Sequence, residues 1–258
     1  QEIVGDILDE AGVEQAVRGA DAVYNFAGFA DIDGAATDPI ATVKLNILGN
    51  CIILEACRKA NVQRFVFAST VYVYSQAGSF YTASKQACES YVEHYRRVFG
   101  LNYTVLRYGS LYGGRADARN GMYRLLYQAL REKKIVYRGD GEEMREYIHV
   151  EDAAASSAQI LAKEFENEHV TITGPTAMRV RDLLTMINEM LGHQVAIELK
   201  PERETSTSVH YRVTPYSFSP KVGRKLIQTH YVDMGQGLLR CLEEIYNEPA
   251  AAAGRTGA

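Results

Sequence analysis

The sequence predicts an α/β protein: a doubly wound parallel sheet with helices on both faces and a smaller mixed α/β lobe over one end. Three observations predict it. Short, largely apolar runs alternate with amphipathic helical segments through the first 110 residues. Those runs are rich in β-branched and aromatic residues, as strands covered on both faces are. With 258 residues, 47% of them hydrophobic, the chain can bury one large core or a large and a small one.

The elements follow in order. Asp21–Ala27 (DAVYNFA) is a short strand ending in small residues. In residues 39–60, Ile40, Val43, Ile47, Cys51 and Leu54 recur at helical spacing. Arg64–Thr70 (RFVFAST) is the next strand, Thr82–Phe99 an amphipathic helix capped by Gly100, and Asn102–Arg107 a further strand. The second half is more mixed. Met122–Glu132 reads as a helix, and Ile135–Tyr137 and Tyr147–Val150 as short strands. Glu151–Lys163 is a helix that Asp152 helps to start, Val170–Thr173 a strand, and Val180–Leu191 a helix ended by Gly192. Pro220–Leu226 and Met234–Tyr246 close the fold, and the low-complexity tail 249–258 is expected to be disordered.

Several function classes are excluded by composition. The net charge is −4, so there is no basic excess to follow a phosphate backbone and nucleic acid is not an expected partner. No apolar run is expected to reach the ~20 residues that span a bilayer, and no signal-peptide pattern opens the chain. The four cysteines form no Cys-x-x-Cys pair, which fits reduced thiols and a cytoplasmic location. The six histidines lack metal-ligand spacing, so no metal site is expected.

The chemistry concentrates in Tyr81-Thr82-Ala83-Ser84-Lys85. On a helix, residues four apart share a face. A phenol with a reference pKa near 10 is a poor base at neutral pH, and a neighbouring ammonium stabilises its phenolate; moving it close to 7 takes roughly 4 kcal/mol. In a chain with 17 tyrosines, a Tyr-x-x-x-Lys pair alone is more often a surface pair. Context reverses this. Eleven residues upstream a buried-type strand ends in Ser69-Thr70, where α/β folds bind ligands, and a hydroxyl there can hold a substrate oxygen and share its proton with Tyr81.

Across nearly its whole length the chain resembles the extended short-chain dehydrogenase/reductases, particularly the sugar-nucleotide epimerases and dehydratases. Gly5-Asp6-Ile7 resembles the turn beside the adenine, and Asn25-Phe26-Ala27-Gly28-Phe29-Ala30 the small-residue loop under the cofactor, with Asn25 at a usually His-like position. Asn46 with Gly49 and Asn50 resembles the Asn-x-x-Gly helix. Phe67-Ala68-Ser69-Thr70 with Val73-Tyr74 resembles the Ser-Ser-x-x-Val-Tyr-Gly segment, Ser75 replacing glycine. Leu106-Arg107-Tyr108 with Tyr112-Gly113, and Arg145 through Asp152, resemble two further family segments. The resemblance implies a Rossmann-like sheet. It implies catalytic Thr70, Tyr81 and Lys85, and a cofactor held by Asp6, Ile7, Phe26, Ala27, Gly28, Asn46, Ser69, Tyr81, Lys85 and Tyr108. It implies a nucleotide-diphosphate sugar held by Thr70, Ser110 and Arg145, whose guanidinium fork suits a diphosphate. His149 and Asp152 are expected to hold the turn and cap the next helix. The implied division is a dinucleotide-binding part, 1–109 and 146–165, and a substrate lobe, 110–145 and 166–248. Family members often dimerise through the two helices represented by 39–60 and 82–99, so a homodimer is expected.

The departures narrow the activity. No Gly-x-x-Gly-x-x-Gly or Gly-x-Gly-x-x-Gly turn occurs, and Glu2–Ile7 reads as a later strand and turn, so a first βαβ unit on the order of 50 residues is expected to be missing ahead of Gln1. Val71 and Tyr72 stand where the family's 4,6-dehydratases carry an acid pair and its decarboxylases a Ser–Glu pair. Ser110 replaces a usual asparagine, and the link from Tyr74 to Tyr81 is short, which implies a remodelled or more open sugar pocket. The expected activity is NAD-dependent epimerisation of a nucleotide-diphosphate sugar at C4 through a transient 4-keto sugar. The alternatives are NAD(P)-dependent reduction of a keto-sugar or other carbonyl, and a non-catalytic cofactor-binding regulator or scaffold. NAD is chosen over NADP only because the family's epimerases use it. The residue that decides between them follows the fold's second strand, which is not in this sequence.

Overall fold

The computed structural model describes residues 2–75, 77–200 and Arg212. Helix α1 (Glu10–Val17) leads into strand β1 (Ala22–Asn25), followed by α2 (Ile32–Thr37). Helix α3 (Pro39–Thr42) continues through a π-helical stretch, Val43–Leu48, into α4 (Gly49–Lys59). Strand β2 (Arg64–Thr70), a 3-10 turn (Val71–Tyr74), α5 (Ser79–Phe99) and β3 (Tyr103–Tyr108) follow. Next come β4 (Ser110–Tyr112), α6 (Gly121–Tyr127) with a π turn at Gln128–Glu132, β5 (Lys134–Arg138), β6 (Met144–His149) and α7 (Val150–Gln159). After a 3-10 turn at Lys163–Phe165 come β7 (Glu168–Ile172), β8 (Ala177–Arg179), α8 (Val180–Met190) and β9 (Ala196–Lys200).

The main sheet has the order β1-β2-β3-β7, and every pair is parallel. Central strand β2 divides its side chains between two cores. Phe65 and Phe67 face one formed with Val13, Leu54, Cys57, Cys88, Val92 and Val105 under α1, α4 and α5. Val66 faces another with Leu106, Ala153, Ile160 and Ile172 under α7. Burying each such side chain contributes about 1.5–3 kcal/mol, and the alternation locks the register of β2. Arg64, also buried, donates to Thr104 Oγ1 (3.0 Å) and pairs with Glu166 (2.9 Å) at the other end of the strand. A separate core of Ala129, Ile135, Val180, Leu183, Leu184, Ile187 and Val195 lies under α8. Its region carries the β4-β6-β8 sheet, parallel then antiparallel, and the parallel β5-β9 pair.

Some boundaries differ from the sequence reading. Glu2–Ile7 contains no strand: Ile3 and Val4 are 51% and 93% exposed, and only the turn survives, with Asp6 Oδ1 accepting from Leu8 N–H (2.9 Å). A β-rich stretch without a ladder partner has nothing to satisfy its backbone. Helix α5 begins at Ser79, after Gly78 in the left-handed region (φ 89°), so Tyr81 lies inside its first turn. Helix α7 stops at Gln159, short of Lys163. Strand β7, grouped from the sequence with the second lobe, is hydrogen-bonded to β3 in the main sheet. The strands β4, β8 and β9 and helices α1 and α2 carry too few apolar residues at regular spacing to stand out in the sequence. The helical run Pro39–Lys59 is long and apolar enough to cross a membrane by length and composition, contrary to expectation. Here Ile53, Leu54, Ala56 and Cys57 of that run are packed in the core. The predicted elements at Pro220–Leu226 and Met234–Tyr246 and the tail 249–258 lie outside the described residues.

Gly174, just after β7, passes against the backbone of β6: a Cβ built there would overlap the Tyr147 carbonyl oxygen. Neither backbone can yield without opening a sheet. Gly174→Ala is expected to destabilise the protein by roughly 1–3 kcal/mol, read as a lower urea midpoint; an unchanged midpoint would show that the contact relaxes freely.

Candidate active site

Because β1, β2 and β3 are parallel, their carboxyl ends bring Asn25, Thr70 and Tyr108 to one edge of the sheet, the edge at which open α/β sheets bind ligands. Thr70 ends β2, and its Oγ1 accepts from Tyr72 N–H (3.3 Å) at the start of the 3-10 turn. Tyr81, in the first turn of α5, has the Thr70 hydroxyl as its polar neighbour. Lys85, one turn on and 8% exposed, donates to the Ala68 carbonyl (2.7 Å). Its Nζ lies 4.8 Å from the Phe67 ring centroid and 5.8 Å from that of Tyr81. The structure therefore brings Thr70, Tyr81 and Lys85 together.

Their titration follows from burial. Desolvation pushes the Tyr81 phenol up to about 12, opposed by the Thr70 hydroxyl, which favours the phenolate as a hydrogen-bond donor. Desolvation pulls Lys85 down to about 8, opposed by the neighbouring Cys88 sulfur and Glu89 carboxylate. At neutral pH the ligand-free site thus holds a neutral phenol beside an ammonium. A further positive charge near the phenol would move it toward use as a base.

A second group surrounds Asn46, which sits in the π-helical stretch, a deviation frequent at functional sites. The buried Asn46 accepts from Phe29 N–H (2.6 Å) and donates to Phe29 O (3.1 Å) and Ser84 Oγ (2.8 Å). Asn25 accepts from Ala27 N–H (3.1 Å) and donates to Asn50 (2.9 Å). These bonds fasten the 26–29 loop to the long helix and to α5. Gly28 has φ +146°, and a Cβ there would come within 2.7 Å of Asn46 Oδ1, so this close approach requires glycine. Phe26, Ala27 and Gly28 are exposed above the sheet edge, and the Phe26 ring stacks on Tyr24 at 6.0 Å.

The other predicted residues are placed as follows. Ser69 is buried, and its hydroxyl donates to Glu89 rather than facing outward. The Tyr108 hydroxyl is shared with Ser157 Oγ of α7 (2.5 Å). Asp6 is exposed in its turn, and Ile7 packs against Gly49. Ser110 and Arg145 lie on adjacent strands β4 and β6, and Arg145 donates to the carbonyls of Met144 (3.0 Å) and Arg212 (3.2 Å). His149 caps α7, its Nδ1 accepting from Glu151 N–H (3.4 Å) with its ring against Tyr112. The sequence reading passed over Glu89, Ser84 and the role of Asn50. The signal for Glu89 was present: a carboxylate four residues after Lys85 on the inward face of an amphipathic helix.

A parallel α/β sheet with a hydroxyl, a tyrosine and a lysine joined at its carboxyl edge defines an extended short-chain dehydrogenase/reductase. The chain belongs to the NAD dependent epimerase/dehydratase family, whose profile matches residues 2–173. Among solved structures it is similar to the UDP-glucose 4-epimerase of Thermotoga maritima with UDP-glucose (28% identity, TM-score 0.73, 83% of this chain and 74% of that one). It is also similar to the Thermus thermophilus UDP-glucose 4-epimerase in complex with NAD (26%, TM-score 0.73, 85% and 79%). Among curated proteins, the dTDP-glucose 4,6-dehydratase of Streptomyces antibioticus is 28% identical over 201 residues, 73% of this chain and 60% of that enzyme. The chain spans about three fifths of the length of such curated relatives.

The folded pKa of Lys85, about 8, lies below the ordinary value of 10.5, so between these the unfolded chain holds more protons and stability rises with pH; below 8 the full burial penalty applies. Lys85→Met should therefore stabilise the fold at pH 7 by up to about 3 kcal/mol, a gain that shrinks toward pH 10. Urea unfolding at pH 7 and 9.5 checks this, and a variant less stable at both pH values contradicts it.

Proposed function

We propose that the protein inverts C4 of a nucleotide-diphosphate sugar, using NAD, through a transient 4-keto sugar. The observation that carries this reading is the meeting of Thr70, Tyr81 and Lys85 at the sheet edge, with the buried Lys85 Nζ 5.8 Å from the Tyr81 ring centroid. NAD fits the residues present: the Phe26–Gly28 loop offers a small, exposed surface at the sheet edge, and Lys85 has two donors beyond Ala68 O for a ribose hydroxyl. Bound NAD would supply the hydride acceptor at C4 and return the hydride to the opposite face.

Tyr81 takes the C4 hydroxyl proton and gives it back after the sugar has turned over. Thr70 holds the same oxygen during both transfers. Lys85 stabilises the phenolate and grips the ribose. Arg145 anchors the diphosphate, with Ser110 on the neighbouring strand beside it, so that the sugar can rotate without leaving. Val71 and Tyr72, directly after Thr70, supply no carboxylate for elimination, which supports simple redox inversion over dehydration.

Tyr81→Phe of the full-length protein should reduce turnover of UDP-sugars to their C4 epimers by about 10²–10⁴-fold while leaving nucleotide-sugar binding within a fewfold. Anion-exchange chromatography of the products and calorimetry check the two halves. Near-parent turnover would sink the assignment, and stoichiometric consumption of reduced cofactor would replace epimerisation by reduction.

We further propose a homodimer formed by the two long helices. Ile40, Val43 and Leu48 on the Pro39–Lys59 run and Tyr91 and Val98 on α5 are exposed apolar residues that a second copy would cover. Val43→Glu combined with Tyr91→Glu should halve the mass measured by light scattering; an unchanged mass points to another interface.

A further inference from the structure

Three consecutive residues at the end of β2 are each tied to α5. The Ala68 carbonyl accepts from Lys85, the Ser69 hydroxyl donates to Glu89, and the Thr70 hydroxyl neighbours the Tyr81 phenol. The proposed reaction uses the first and third ties. The second is a buried carboxylate, 7% exposed, on the inward face of α5. Such a group is retained only when its charge is met and its lone pairs are bonded.

Arg107 meets it. This residue is the register partner of Ser69 on β3, and its guanidinium forks onto Glu89, Nε to Oε1 at 3.1 Å and Nη2 to Oε2 at 2.6 Å. Its Nη1 donates to the Tyr74 hydroxyl (2.5 Å), and its guanidinium carbon stands 4.6 Å from that ring centroid. Tyr74 is the last residue of the 3-10 turn that starts after Thr70. One ion pair therefore holds the residue before Thr70, the far end of the turn after it, and the helix that carries Tyr81 and Lys85.

We propose that Glu89, with Arg107 as its counter-ion, is a positioning residue that sets Thr70 and Lys85 in place against Tyr81. This rests on the reading of Tyr81 as the base. Glu89 acts in two ways. Through Ser69 it fixes where Thr70 leaves the strand. Through its charge, one helical turn from Lys85, it favours the ammonium that the buried site otherwise disfavours. The groups facing Glu89 are Ser69 from β2, Arg107 and Tyr103 from β3, His169 from β7 (Nε2 to Oε2 3.9 Å), and Lys85 and Cys88 from its own helix, while Glu93 meets the same His169 ring (3.2 Å). Those facing Lys85 are Tyr81, Cys88 and Glu89 from α5, and the Phe67 ring and Ala68 carbonyl from β2.

The test uses the full-length protein with 13Cε-labelled lysine, the Lys85 resonance being assigned by its loss in Lys85→Met. Glu89→Gln leaves Arg107 without its partner, so Glu89→Gln with Arg107→Met is made beside it to remove both charges. In a folded variant, the proton affinity of Lys85 should drop by about tenfold, moving its titration about one pH unit lower. Turnover should fall roughly ten- to hundredfold, with KM for the nucleotide sugar unchanged. If neither variant folds, Ser69→Ala, which removes only the strand's hydroxyl, should show the same loss of kcat at constant KM. An unmoved Lys85 titration together with parent-like kcat in a folded variant overturns the proposal, as does parent-like kcat in Ser69→Ala when that variant carries the test. If the parent turns over no nucleotide sugar, the functional reading fails on its own, and the Lys85 titration still decides whether Glu89 biases the lysine.

Discussion

The buried ammonium of Lys85 is the constraint around which the first half of the molecule is arranged. A cation taken from water must be met by oriented dipoles, rings or charges, and here all three come from β2 and α5: the Ala68 carbonyl, the Phe67 face and the Glu89 carboxylate. Each of these has its own support. Phe67 is locked in the core, and Glu89 is locked by Arg107. Lys85, Thr70 and Tyr81 are therefore held by side chains that are themselves fixed by the core and by an ion pair.

A second brace runs across the sheet edge. Asn46 uses both ends of its amide to hold the Phe29 backbone and reaches Ser84, which itself donates to the Tyr81 carbonyl (2.7 Å). The loop over the sheet and the helix bearing Tyr81 are thus joined through one side chain. The π-helical winding at Val43–Leu48 accompanies this arrangement, and Gly28 permits it by leaving room at Asn46 Oδ1. A local departure from regular helix and a glycine at positive φ meet where the loop must lie closest.

The second region meets the main sheet backbone to backbone. Gly109 N–H extends the β3–β7 ladder by donating to the Ile172 carbonyl (3.0 Å), and the chain after β7 then runs through Gly174 directly against β6. His149 ends β6 and caps α7, and Ala153 in that helix and Ile160 at its C-cap close the second face of the sheet. The strand that carries Arg145 is therefore continuous with the helix that covers the sheet behind Thr70.

The sequence by itself determined the parallel-sheet class, because apolar runs such as Arg64–Thr70 can be satisfied only by burial on two faces, and it marked Thr70, Tyr81 and Lys85 through spacing that places them on one helix face and one strand end. Short-range periodicity does not report pairing, so β4, β8 and β9, three to five residues each, and the membership of β7 in the main sheet were decided by tertiary contacts. The same holds within the site. Nothing local says whether Ser69 faces outward or inward. The answer depends on Glu89, 20 residues away, and on Arg107, 38 residues away, meeting it in the fold. A buried charge network is a property of positions brought together from three elements, and only the packed structure could assign it.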